Sequence, residues 1–201
     1  MSLFFQIIES RSAQAVIAGV FVAAGWLVNG RQNRRAEARL RAERLRDAHR
    51  AIFAEIDANL SNLFDATVLR ADGAAMVERM QADEAFIPFI PRERHDRIFR
   101  ALEAEIHVLP RVTIDPIVSY YAQLDSLNAH VEDMRGNAFR SLPQGRRIEM
   151  YEDYVEMKVA TLMLGRRANW LIKVFSRDGK DVAEETARKF NIPSAADPSD
   201  Q

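Results

Sequence analysis

The sequence predicts an all-α protein: an N-terminal single-pass transmembrane helix that continues into a charged helical stalk and then an antiparallel four-helix-type bundle. Three observations carry this reading. Residues 12–30, SAQAVIAGVFVAAGWLVNG, are nineteen residues without a charge in a chain that is 28% charged. Beyond them, apolar residues recur at spacings of three and four, the period of one helix face. The eight glycines and seven prolines fall mostly between those periodic segments, and there is no convincing strand and no internal repeat. The chain accordingly divides into a short N-terminal segment (1–11), the transmembrane helix (12–30), an Arg-rich juxtamembrane stalk (31–50), a helical bundle (51–192) and a polar tail (193–201) expected to be disordered.

As a helix rising 1.5 Å per residue, the uncharged run spans roughly 28 Å, close to the hydrocarbon thickness of a bilayer. Competing readings are weaker. Val22 and Ala24 offer a signal-peptide cleavage pattern, but only Glu9 and Arg11 precede the run, where a signal peptide wants a basic start. A core helix would carry polar residues on some face, and Gln14 is the one strongly polar side chain between Ser12 and Asn29. A helix lying on the membrane surface would need a charged face. Ala15, Gly19 and Ala23 recur every four residues and form a small-residue stripe along which two backbones can approach closely. Trp26 suits the interfacial belt, with its ring in the apolar region and its N–H near water.

Eight arginines follow within twenty residues, Arg31, Arg34, Arg35, Arg39, Arg41, Arg44, Arg46 and Arg50, against Glu37, Glu43 and Asp47. Basic residues beside a spanning helix are retained on the cytoplasmic side, so the N-terminus is expected outside and the bundle in the cytoplasm, at a bacterial inner membrane. Arg31, Arg34, Arg35, Arg39 and Arg41 are placed to contact anionic lipid headgroups, at up to about 1 kcal/mol per basic residue. A narrow seam, Ala38, Ala42, Leu45, His49, Ile52 and Ile56, continues below the anchor in coiled-coil spacing. Anchor stripe and stalk seam together predict a homodimer.

From Ala51 the apolar face widens to Ile52, Phe53, Ile56, Leu60, Leu63, Phe64 and Val68, which marks the first bundle helix, with Asn59 on the same seam. Ala71-Asp72-Gly73 is read as a break, followed by a short helix over 74–82. Pro88 and Pro91 keep Phe86-Ile87-Pro88-Phe89-Ile90-Pro91 out of a helix. Phe86, Ile87, Phe89 and Ile90 then either plug the end of the core or form an exposed loop that docks a protein partner or dips into the membrane. Arg92 to Leu109 reads as a helix with His95, Ile98, Leu102, Ile106 and Leu109 inward, stopped by Pro110. Asp115 and Pro116 read as N-cap and first residue of the next, which buries Ile117, Tyr120, Leu124, Leu127, Val131 and Met134 and ends at Gly136. A long helix runs from Pro143 to Arg177 before Asp178-Gly179, and 181–190 is a last amphipathic turn or two.

Chemistry is sparse. Cysteine is absent, which excludes disulfides, thiolate metal sites and a cysteine nucleophile. The four histidines, His49, His95, His107 and His130, never stand three residues after a glutamate, as a dimetal carboxylate bundle requires. Nucleophile elbows, glycine-rich phosphate loops and zinc-protease helices are missing. Glu149, Glu152, Asp153 and Glu156 read as a solvated face, and Arg146-Arg147 and Arg166-Arg167 as ion-paired surface. The net charge of −1 gives no sign of nucleic-acid binding. No cofactor and no metal is expected. The expected function is a membrane-anchored interaction or scaffold module without catalysis, set against a phage or envelope lysis factor with its domain outside the cytoplasm, and against a membrane-tethered hydrolase or metal enzyme.

Overall fold

The computed structural model describes residues 11–61, 63, 65–92 and 96–191, and within them the side chains of all but 11–20, 22, 23, 190 and 191. These residues form seven α-helices in the order α1 (Arg11–Ser61), α2 (Ala66–Ala82), α3 (Arg97–Leu102), α4 (Arg111–Arg135), α5 (Asn137–Ser141), α6 (Gln144–Asp178) and α7 (Lys180–Asn191), with a 3-10 segment, Glu103–Val108, between α3 and α4. The described residues contain no strand. The chain divides into two compact units, Met1–Leu45 and Arg46–Gln201.

In the first unit the described side chains are exposed apart from Gly30 and Leu45, which are half-buried. Among the described residues no helix is long and apolar enough to cross a membrane, so the transmembrane expectation has no support there. The uncharged stretch whose side chains are described without interruption is only 24–30, against roughly 20 residues for a span. Ala15, Gly19 and Ala23 lie outside the described side chains, and the expected disordered tail lies outside the described residues altogether.

The second unit is a helical bundle organised on α6. Helix α4 runs antiparallel to it: Gln123 reaches the Met157 carbonyl and His130 the Met150 carbonyl. Helices α1 and α2 share the length of α6 in series. Near one end of α6, α1 sets Phe53 against Lys173 and His49 against Phe175, while near the other α2 sets Arg70 against Glu156 and Gln144 against the Met80 carbonyl. Helices α1 and α4 run parallel, since His49, Glu55 and Asn59 meet Thr113, Tyr121 and Tyr120. The purely antiparallel arrangement is thus corrected. The core comprises Ile52 and Ile56 from α1, Val77 and Met80 from α2, Ile117 to Met134 of α4, and Tyr154, Leu162 and Leu171 of α6.

Element boundaries depart from expectation in three places. Gly73 does not break a helix; it lies inside α2, buried, where an added Cβ would stand 2.7 Å from Val155 Cγ2. The real break precedes Asp65, whose carboxylate accepts from the Thr67 N–H at 2.9 Å as an N-cap. Val68 accordingly lies on α2 and is 42% exposed, and Phe64 lies outside the described residues.

Arg92 to Leu109 is not one helix. Glu93, Arg94 and His95 lie outside the described residues, α3 is only six residues long, and Ile98 points outward. Asp96 makes no side-chain cap for α3, because its carboxylate is taken by Arg100. Helix α4 starts at Arg111 and not at Pro116. The Pro110 carbonyl already accepts from the N–H groups of Thr113 (2.9 Å) and Ile114 (3.0 Å), so the helix is nucleated before Asp115. Pro116 falls in the second turn, where its missing N–H forfeits one bond beyond the unpartnered first turn.

Candidate functional site

The last turns of α1 meet the C-terminal part of α6 across a groove. Arg46, His49, Arg50 and Phe53 occupy one α1 face at spacings of three and four, and Lys173 and Arg177 do the same on α6. Together with Ile172 and Ser176 they line a cavity of about 430 Å³ with four cations and no acid in its wall. The Lys173 ammonium lies 4.9 Å from the Phe53 ring centre, and Arg177 donates through Nε and Nη2 to the Asp178 carboxylate at 2.8–3.0 Å. Arg46, Arg50 and Lys173 have no carboxylate partner among the described residues.

His49 forms the inner wall. It is 3% exposed and stands edge-on to Phe175. The Thr113 hydroxyl donates to the Pro110 carbonyl at 3.0 Å, so its oxygen accepts from His49 Nε2 at 2.9 Å. That assigns the Nε2–H tautomer. Burial lowers the His49 pKa from 6.5 to about 4, so the ring is neutral at physiological pH.

Nearly two turns further along α1, Glu55 is 8% exposed and fully engaged. Its carboxylate accepts from the N–H groups of Ile98 (2.6 Å) and Phe99 (3.0 Å), the first turn of α3, and from the Tyr121 hydroxyl (2.6 Å). The Phe99 ring stacks on Tyr121 at 3.8 Å. Burial, then the Glu55 hydrogen bond, holds the Tyr121 hydroxyl far above its ordinary value. Every polar atom of this cluster serves another, which makes it a structural junction with no free group for chemistry.

The last turn of α2 and the proline-bearing segment after it are held through their carbonyls. Gln144 Nε2 donates to the α2 carbonyls of Met80 (2.6 Å) and Gln81 (3.3 Å), and in the segment itself Arg147 Nη2 donates to that of Glu84 and Arg135 Nη1 to that of Ile90. Arg147 is therefore a buried strut, 6% exposed, and the expectation of an ion-paired surface residue is corrected. Arg146, by contrast, pairs with Glu149, and Arg166 stands 3.8 Å from Asp65. Within the segment, Ile90 is buried, Phe86 and Ile87 are half-buried, and Phe89 is 83% exposed beside Arg135 and Arg140. Plug and exposed loop coexist: Ile90 enters the core and Phe89 faces out.

Of the remaining expected site residues, Trp26 is 80% exposed, and Arg31, Arg34, Arg35, Arg39 and Arg41 are all exposed, Arg41 standing 3.9 Å from Glu37. His107 is exposed, and His130 is tied to the Met150 carbonyl at 2.8 Å. Among the described residues no three His, Asp or Glu side chains gather as a metal site. Sequence reasoning missed the groove, although a signal was present: Arg46 and Arg50, like Lys173 and Arg177, are four apart and so share a helix face. Compared with protein-family models, curated proteins and solved structures, the chain matches none.

Proposed function

We propose that the chain is a membrane-tethered interaction module: residues 12–30 anchor it in the inner membrane, Arg31 to Arg41 face anionic headgroups, and the bundle presents Phe89 to a protein partner in the cytoplasm. The observation that carries the tether is the nineteen-residue uncharged run followed at once by eight arginines. A span of that length matches the bilayer, and the arginine excess on one flank sets its direction. Arg31, Arg34, Arg35, Arg39 and Arg41 are all exposed, and so accessible to headgroups, Arg41 beside Glu37. Phe89 supports the docking role, since a large aromatic ring held outward by a segment tied down at the Glu84 and Ile90 carbonyls loses little freedom on binding.

The test is localisation followed by topology. The full chain should stay with membranes through alkaline carbonate extraction, and a reporter fused at Gln201 should be active in the cytoplasm. Extraction into the soluble fraction sinks the tether, and a reporter active only in the periplasm sinks the orientation.

A further inference from the structure

We propose that the groove between α1 and α6 is a binding site for a phosphate-bearing anion, gripped by Arg46, Arg50 and Lys173. Geometry and charge carry this, independently of the membrane tether. Three cations converge on one concavity without a carboxylate partner among the described residues. No acid lines the wall: Asp47 is not among its residues and pairs with none of these cations among the described residues, and Asp178 is occupied by the fork of Arg177. Elsewhere on the bundle, exposed cations such as Arg70, Arg92, Arg146 and Lys189 each have an acid within 3.2 Å. Left together in a concave wall, Arg46, Arg50 and Lys173 repel one another, and a multiply charged anion relieves that repulsion.

The cavity volume, about 430 Å³, lies in the range of small-molecule sites and far exceeds what a single halide fills. Two guanidinium groups offer the forked donors that match phosphate oxygens, and the lysine adds a point charge. His49 contributes an uncharged wall, buried against Phe175, that shields the anion from water on its inner side. The same chemistry is offered by a soluble diphosphate and by the headgroup of an anionic phospholipid.

Pyrophosphate titrated calorimetrically into the full chain in phosphatidylcholine nanodiscs tests the site. Arg50→Gln/Lys173→Gln should weaken binding at least about tenfold, because each removes a charge-assisted contact. The control Arg111→Gln/Lys189→Gln removes two surface cations elsewhere and should change it less than about twofold. Both pairs are exposed, and an unchanged circular dichroism spectrum reports that each variant is folded. Repeating the titration in phosphatidylglycerol nanodiscs separates the sources. Weakened pyrophosphate binding there means that lipid headgroups occupy the groove, and unchanged binding means that the ligand is soluble. Absence of pyrophosphate binding in phosphatidylcholine, or equal losses in the two double variants, overturns the proposal.

Discussion

Gly73 and Val155 stand closer than any side chain at position 73 would allow: a Cβ there would lie 2.7 and 2.9 Å from the two Val155 methyl carbons. Val155 is β-branched and stiff, so it cannot swing away. Gly73→Ala gains about 1 kcal/mol in helix propensity, yet the overlap costs typically 1–3 kcal/mol. The variant is expected to be destabilised overall in urea unfolding, and Val155→Ala in the same chain should recover most of the loss. A stabilised single variant would mean that α2 and α6 are further apart.

His49 makes stability pH-dependent in a defined window. Its pKa falls from 6.5 to about 4 on folding, so the unfolded chain binds the extra proton first. Its contribution is complete above about 6.5 and is lost as pH falls toward about 4, roughly 3 kcal/mol in all. The carboxylates of Asp65 and Glu156, held below their ordinary values by the Thr67 N–H and by Arg70, lose theirs in the same direction but at lower pH. Urea midpoints of the wild type should drop between pH 6.5 and 4, and those of His49→Gln should be flatter across that interval.

Glu55 and Tyr121 form a coupled pair. Tyr121→Phe removes one hydrogen bond to a buried carboxylate and should cost about 1.5–3 kcal/mol. Glu55→Ala also strips the two amide contacts at the start of α3, so amide hydrogen exchange should accelerate over 97–109 before any other part of the bundle. Once Glu55 is gone, adding Tyr121→Phe should cost far less than it does alone. Additive losses would show that the two groups act separately.

If residues 12–30 anchor the chain as proposed, self-association is expected through the anchor stripe and the stalk seam together and not through the bundle. Crosslinking in bilayers should yield a dimer that Gly19→Leu weakens, because a large side chain on the stripe holds two backbones apart. A fragment beginning at Arg31 should be monomeric in analytical ultracentrifugation. A dimeric fragment, or a full-length dimer indifferent to residue 19, would move the interface to the bundle.

How much of this was legible depends on whether the signal was local. The face of α4 repeats every three or four residues, and Ile117, Tyr120, Leu124, Leu127, Val131 and Met134 are all buried. Leu124→Ala should accordingly cost roughly 2–5 kcal/mol, while Val118→Ala, 45% exposed on the opposite face, should be near neutral by thermal unfolding. The helix stops at Gly136 and Gly179 were equally readable. Gly73 misled because a glycine that admits a neighbouring helix has the same letter as one that ends a helix. The region from 92 to 109 misled because its length suited one helix, whereas the cap on α3 comes from Glu55, outside any local window. The groove stayed hidden for the same reason: each half lies on a different helix, and only the packing of α1 on α6 adds the charges together.

The serial sharing of α6 by α1 and α2 has a consequence during synthesis. Helix α1 leaves the ribosome early, but the α6 residues it meets, such as Lys173 opposite Phe53, follow more than a hundred residues later. At roughly 5–20 residues per second that is a delay on the order of ten seconds. Throughout it Ile52 and Ile56, buried in the finished bundle, are without its core, Leu60 is without the Gly165 surface it packs on, and the nascent chain presents an apolar helix to whatever is nearby. Helix α6 is also the last long helix to emerge, so the bundle cannot close before it does, and truncation anywhere before residue 170 should leave a chain dependent on chaperones and open to proteolysis.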